Sequence, residues 1–317
     1  MSWFEKLTGC VGESRESVRE HLFIDGRRLH SRLNQKSWLC GELETPTLAQ
    51  LRQRVRNIKH DLGPISVRNV VGNVQHLHLN RANENALFQV ASQFNLLEMT
   101  SPRVTPECGV GIYEHDFTQG PACAIAAGAG TIYRNYFVDI NGRIGQTADN
   151  QINCLSGIAK LLDNSKQRLW KMVNGYALPS AEGLEEINRK LESMDEAALD
   201  AVRQALQIGL HWDTQVTLGD ASHTVSQSYC SAMPVAYTNH TKELWAPLAK
   251  LVLEAAYEAT ICAAILNIDR NRNNRLFLTR LGGGAFGNNP DWITEAISRS
   301  LELYSDSGLD VAIVSYG

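Results

Sequence analysis

Two clusters of residues in this chain could do chemistry. The stretch "HWDTQVTLGDASHTVSQ", residues 211–227, sets Asp213 and Asp220 seven residues apart among His211, His223, Ser226 and Gln227. Two carboxylates can divide the work of a general base and an orienting partner. Ser226, His223 and Asp220 also compose a nucleophile, base and acid, yet no GxSxG elbow surrounds the serine. His211 and His223 lack a zinc-ligand spacing and no HExxH occurs, so no metal site is expected. By pattern alone the plainer reading wins: Asp213 with Thr214, and Asp220, are turn residues at strand ends.

The second cluster is "PECGVGIYEHDFTQGPACAIA", residues 106–126. Asp116, Thr118, Gln119 and Gly120 lead into a helix that opens near Pro121. A helix start with no acidic residue in its first turn is open to an anion; the plainer alternative is a solvated loop with an Asx turn at Asp116. The same recipe recurs in "LTRLGGGAFGNNPDW", residues 278–292. Here an apolar strand meets Gly282, Gly283, Gly284, Ala285, Phe286, Gly287 and Asn288, and Pro290 starts a helix. Glycine lets a ligand approach the main chain closely. The loop is neither GxGxxG nor GxxxxGK[ST]. It reads as an anion loop rather than as a mobile turn.

These loops need a frame. Residues 1 to about 60 are charged and helix-prone, with a capped helix starting at Thr45–Thr47 and stopped at Gly63–Pro64. "ISVRNVVGNVQHLHL" has strand composition, and "ALFQVASQFNLLEM" is a second strand. "GYALPSAEGLEEINRKLESMDEAALDAVRQALQ" gives two charged helices, read as an exposed excursion. "LWAPLAKLVLEAAYEATICAAILN" is a buried helix of about six turns. Trp170, Trp245 and Trp292, with His76 and His78, read as packing residues. Strands alternating with long helices predict an α/β fold with a mixed or parallel sheet.

The totals narrow the classes. The chain has 317 residues, 44% of them apolar, and a net charge of -4 without a basic block, which argues against a nucleic-acid surface. No membrane span is expected. The N-terminus lacks the apolar core of a secretory signal. Seven cysteines, none in a CxxC pair, suggest free thiols in a reducing compartment. The expected location is cytoplasmic, or a host cytosol reached without a signal peptide.

Taken together, these segments resemble the macrodomain superfamily, in the branch of the poly(ADP-ribose) glycohydrolases and closest to the MavL-type bacterial effector ADP-ribosyl hydrolases. "LTRLGGGAFGNNPDWITEAI" matches that branch's late "LGxGxFGN" loop, and "GVGIYEHDFTQGPACAIAAGAGTIYRNYF" its glycine segment and helix. "FQVASQFNLLEM" corresponds to its first strand, with Gln93 and Asn95 toward the end. The resemblance implies a three-layer α/β/α domain over residues 66–317, carrying a helical insert at about 155–205 and preceded by a helical extension, residues 1–65. It also implies ADP-ribose as ligand and product, with no cofactor. Gln93, Asn95, Thr118, Gln119, Gly120 and the 282–288 loop would grip it, with Phe286 against a ribose and Asn288 at the rim. The implied activity is removal of ADP-ribose from a modified protein, as mono-ADP-ribose on arginine, with ubiquitin a candidate partner. The alternative is a non-catalytic reader. One departure matters: where the glycohydrolases have Gln-Glu-Glu, this chain has Gln119-Gly120-Pro121. The expected carboxylates are therefore Asp213, Asp220 and Asp116. Asp220 would activate water or support the ribose, and Asp213 would grip a guanidinium leaving group.

Overall fold

The computed structural model describes residues 1–58, 63–219 and 221–316. Seven strands form its central sheet: β1 Glu42–Glu44, β2 Ser66–Val71, β3 Leu87–Ala91, β4 Gly209–Gln215, β5 Thr224–Cys230, β6 Arg275–Thr279 and β7 Asp310–Ser315. Their spatial order is β1-β4-β5-β3-β6-β7-β2. β5, β3, β6, β7 and β2 run parallel, while β4 is antiparallel to both β5 and β1. β3 is buried almost throughout, as expected of a central parallel strand covered on both faces.

The helices divide between those faces: α1 Leu48–Arg56, α2 Val74–Leu79, α3 Gln119–Ala126, α4 Gly128–Tyr136, α5 Ala181–Glu192, α6 Glu196–Gln204, α7 Lys242–Asn271 and α8 Pro290–Leu303. The alternation along β5 shows the division. Ser228 and Cys230 reach Thr260 on α7, whereas Gln227 donates to the Cys123 carbonyl on α3 and Tyr229 meets Arg134 on α4. α1, α5, α6 and α8 pack with α7. The result is the expected three-layer α/β/α fold.

α7 has 30 residues, more than the six turns expected. It is long and apolar enough to cross a membrane, but its apolar stretch is buried as the core helix. Trp245 and Trp292 are buried with it; Trp170 is buried too, on a strand rather than a helix.

Three other expectations change. Residues 1–60 are not simply helical: Leu22–Asp25, Arg28–Ser31 and Ser37–Leu39 make an antiparallel meander, and β1 joins the central sheet. "VQHLHL" is helix α2, capped by Asn73. The pair α5–α6 is not an exposed excursion, because Leu184, Ile187, Leu191 and Val202 are buried in the core around α7.

Candidate functional site

Parallel strands all present their carboxyl ends on one side, and the loops leaving those ends enclose the natural crevice of an open α/β sheet. A cavity of about 470 Å³ lies there. Ala91–Gln93 at the end of β3, Thr279–Leu281 at the end of β6 and Val314–Tyr316 at the end of β7 form its floor. That size suits a ligand of drug or nucleotide scale.

One wall is the start of α3. Thr118, Gln119, Gly120 and Pro121 line the cavity, and Thr118 makes no capping bond to the helix. Gln119 is a clamp: its amide oxygen accepts from Ala91 N–H at 2.9 Å and its amide nitrogen donates to the Gln89 carbonyl at 2.7 Å. Any Cβ at position 120 would fall on the Ala91 carbonyl, so only glycine brings the helix start this close to β3. Asp116 lines the same wall, half-buried, and accepts from Thr118 N–H at 2.9 Å. Asp116 thus forms an Asx turn and borders the cavity.

The opposite wall is the glycine loop. Gly282, Gly284, Ala285 and Phe286 line the cavity; Gly283, Gly287 and Asn288 do not. Gly282 needs its left-handed backbone, φ +72°. Asn288 is buried under the loop rather than at its rim, donating its side-chain N–H to the Met233 carbonyl at 2.8 Å. Phe286 packs against Tyr176 and Tyr237, with ring centres 5.4 and 5.5 Å away. Tyr176 comes from the 155–205 insert, which thus supplies part of the cavity wall. Arg280 adds an exposed positive charge.

The third wall was foreseen only at Gln93. Beyond β3, Ser92–Met99 form a tight buried loop. Gln93 N–H donates to the Leu97 carbonyl, and the Gln93 side-chain oxygen accepts from Met99 N–H at 2.8 Å. Leu96 takes φ +64°. This folding brings Glu98 into the cavity lining. Its side chain is 1% exposed, and neither carboxylate oxygen has a hydrogen-bond partner. Burial pushes the Glu98 carboxyl up to about 8, against the pull of the Arg134 charge 3.8 Å away. At neutral pH it is mostly a neutral acid. The sequence signal was an acidic residue inside the apolar run "FNLLEM".

The other sequence candidates lie elsewhere. Asn95 is buried outside the cavity wall, its side chain bonded to Gln151 and Leu97 N–H. Asp213 sits in a bulge of β4, φ +54°, opposite the amino end of β5. That is the far end of the sheet from the cavity, so Asp213 is not part of this site. Its carboxylate is held by Arg270 at 2.6 Å, Arg27 at 2.8 Å and Asn271 at 2.9 Å. Burial raises its pKa, but those partners outweigh burial and hold it below the usual range. Asp220 lies outside the described residues. Among the described residues no group of three His, Cys, Asp or Glu is placed to hold a metal ion, and all seven cysteines are free.

No family model matches the chain, and no curated protein matches it by sequence. Among solved structures it is similar to the poly(ADP-ribose) glycohydrolase of Thermomonospora curvata, with a TM-score of 0.48 at 11% identity over 98% of this chain and 93% of that one. The same enzyme bound to the inhibitor ADP-HPD gives a TM-score of 0.46 at 11% identity over the same shares, 98% and 93%. The Deinococcus radiodurans glycohydrolase in complex with ADP-ribose gives 0.47 at 10% identity, covering 87% of this chain and 86% of that chain.

Proposed function

We propose that the protein is an ADP-ribosyl hydrolase that cleaves the glycosidic bond between ADP-ribose and a modified protein, with Glu98 as its acid. The observation that carries this reading is Glu98 itself: a buried carboxyl group with no hydrogen-bond partner within bonding geometry, on a residue that lines a cavity between a helix start and a glycine loop. A buried polar group left unpaired costs about 1–3 kcal/mol, and such groups concentrate at working sites.

The walls suit the parts of the ligand. Phe286, Tyr176 and Tyr237 offer ring faces to the adenine or a ribose. The glycine loop, the first turn of α3 and Arg280 favour the diphosphate. The distal ribose then faces Glu98. As the anomeric C–N or C–O bond breaks, Glu98 gives its proton to the leaving group and the ribose passes through an oxocarbenium-like state. Water adds to the anomeric carbon and yields a proton to the Glu98 carboxylate, which returns to its starting form. Asp116 is a second carboxylate at the same mouth.

On the finer points, arginine-linked mono-ADP-ribose, with ubiquitin as a candidate carrier, is the substrate suggested by the resemblance to MavL-type effectors. The test is Glu98→Gln, assayed by calorimetry with ADP-ribose and by mass for its release from modified protein. Binding should persist while release falls by about a hundredfold or more, the usual contribution of a general acid. Undiminished release would remove Glu98 from the mechanism. Binding without release in the wild type would make the protein a reader.

A further inference from the structure

Arg134, on α4, is a buried charge that the proposed reaction does not use. It is 0% exposed. Nε donates to the Leu96 carbonyl at 3.1 Å, Nη2 to Thr131 Oγ1 at 3.1 Å and Nη1 to His211 Nδ1 at 3.2 Å. The guanidinium carbon lies 3.7 Å from the centre of the Tyr229 ring. A side chain held on so many sides has one position, and that position sets Nη2 3.8 Å from Glu98 Oε1. Arg134 does not line the cavity, so it does not touch a ligand there.

We infer that Arg134 is a positioning residue: a fixed counter-charge behind the cavity wall that lets Glu98 exist as a carboxylate after it has given its proton away. The inference rests on Glu98 being the acid proposed above. The separation is what the task requires. At 3.8 Å the charges attract strongly, yet the guanidinium does not hydrogen-bond the carboxylate, so the proton on Glu98 is not held by Arg134.

The other groups around Glu98 cannot replace it. They are the Tyr113 hydroxyl from the turn before α3, the Cys123 thiol on α3, the Tyr229 phenol on β5 and the Asp116 carboxylate. None is positive: the Tyr113 hydroxyl favours the charged form of Glu98 only as a neutral dipole and by less than Arg134 does, and Asp116 opposes it. His211, packed on Arg134, is kept neutral by burial first and by the Arg134 charge second. Arg134 is a strange residue to bury for stability alone, because an apolar replacement would leave Glu98 free to remain neutral.

The test reads Glu98 directly, without substrate. Carboxyl-carbon NMR, assigned with Glu98→Gln, gives its titration midpoint in the wild type and in Arg134→Gln and Arg134→Met. Removing an opposite charge at this distance should move the midpoint upward by about one pH unit or more. In the active enzyme the alkaline limb of the rate profile should move upward with it. An unshifted midpoint in a folded variant overturns the inference. A second reading needs no change at position 134. The Arg134 Nε resonance of the wild type should titrate with the Glu98 midpoint and become flat in Glu98→Gln; a flat wild-type trace also overturns it. If neither ADP-ribose binding nor release occurs while both titrations behave as expected, the proposed function fails and what stands is the electrostatic coupling of Arg134 to Glu98.

Discussion

Replacing Glu98 by glutamine should make the folded protein more resistant to alkali, and the size of the effect follows from the site. The Glu98 carboxyl is raised from an ordinary 4.5 to about 8 in the fold, by burial first. The folded chain therefore holds this proton more tightly than the unfolded chain does. Below about pH 4.5 the group is protonated in both states and its contribution is fully present. As pH rises, the unfolded chain releases the proton first, and stability is lost until the folded carboxyl also ionises near 8. Each unit corresponds to 1.36 kcal/mol, so the full loss is up to about 5 kcal/mol. That is a large share of the roughly 5–15 kcal/mol that holds a typical domain together. Glutamine has nearly the same shape and no proton to lose. Urea unfolding of both chains, followed by tryptophan fluorescence at several pH values between 4 and 9, isolates the effect because other titrations cancel in the difference. The chains should match at pH 4, and the variant should lead by several kcal/mol at pH 9. If the variant instead loses ground as pH rises, Glu98 and Arg134 form a stabilising ion pair and the acid argument collapses. Parallel curves would refute it equally.

The remaining expectations concern the walls and the far end of the sheet. Asp213→Asn should lower stability by about 1–3 kcal/mol, since Arg270 and Arg27 lose their shared carboxylate, while ADP-ribose release changes less than twofold; a large loss of release would return Asp213 to the mechanism. Phe286→Ala should weaken ADP-ribose binding about tenfold in calorimetry, from the loss of one aromatic face, and unaltered affinity would take the aromatic wall out of the binding site.

Some of these features are legible in the sequence because they depend on backbone chemistry alone. Gly282 and Gly120 mark positions where a left-handed backbone or a close approach admits little else, and both lie in segments whose residue types and order read as anion loops. The meander in residues 22–39 has a local signal too: in "FIDGRRLH" Gly26, at φ +56°, opens a two-residue Gly26-Arg27 hairpin turn. Asp213 could not be judged this way. Its place depends on the direction of β4, and an antiparallel strand carries its last residues away from the cavity that its parallel neighbours face. Glu98 was hidden for a related reason. Its neighbours Arg134, Tyr113 and Tyr229 are distant in sequence, so only the packed fold shows that the carboxyl is buried and unpaired.

If Glu98 is the acid, as proposed, the Gln119-Gly120-Pro121 that stands in place of Gln-Glu-Glu has a physical reading. A carboxylate at the start of α3 would face the helix N–H groups, which favour its charged form and lower its pKa. Such a group is a good base and a poor proton donor at neutral pH. Here Gln119 clamps β3 and Gly120 clears the approach, so the helix start is left open to an anion. The proposed acid, Glu98, instead sits on the apolar loop after β3, where burial favours its neutral form. On the proposed function, anion grip and proton donation would occupy separate elements with opposite electrostatics, one polarised by backbone N–H groups and the other dry. A glutamate moved from 98 to the helix start would serve the first at the expense of the second.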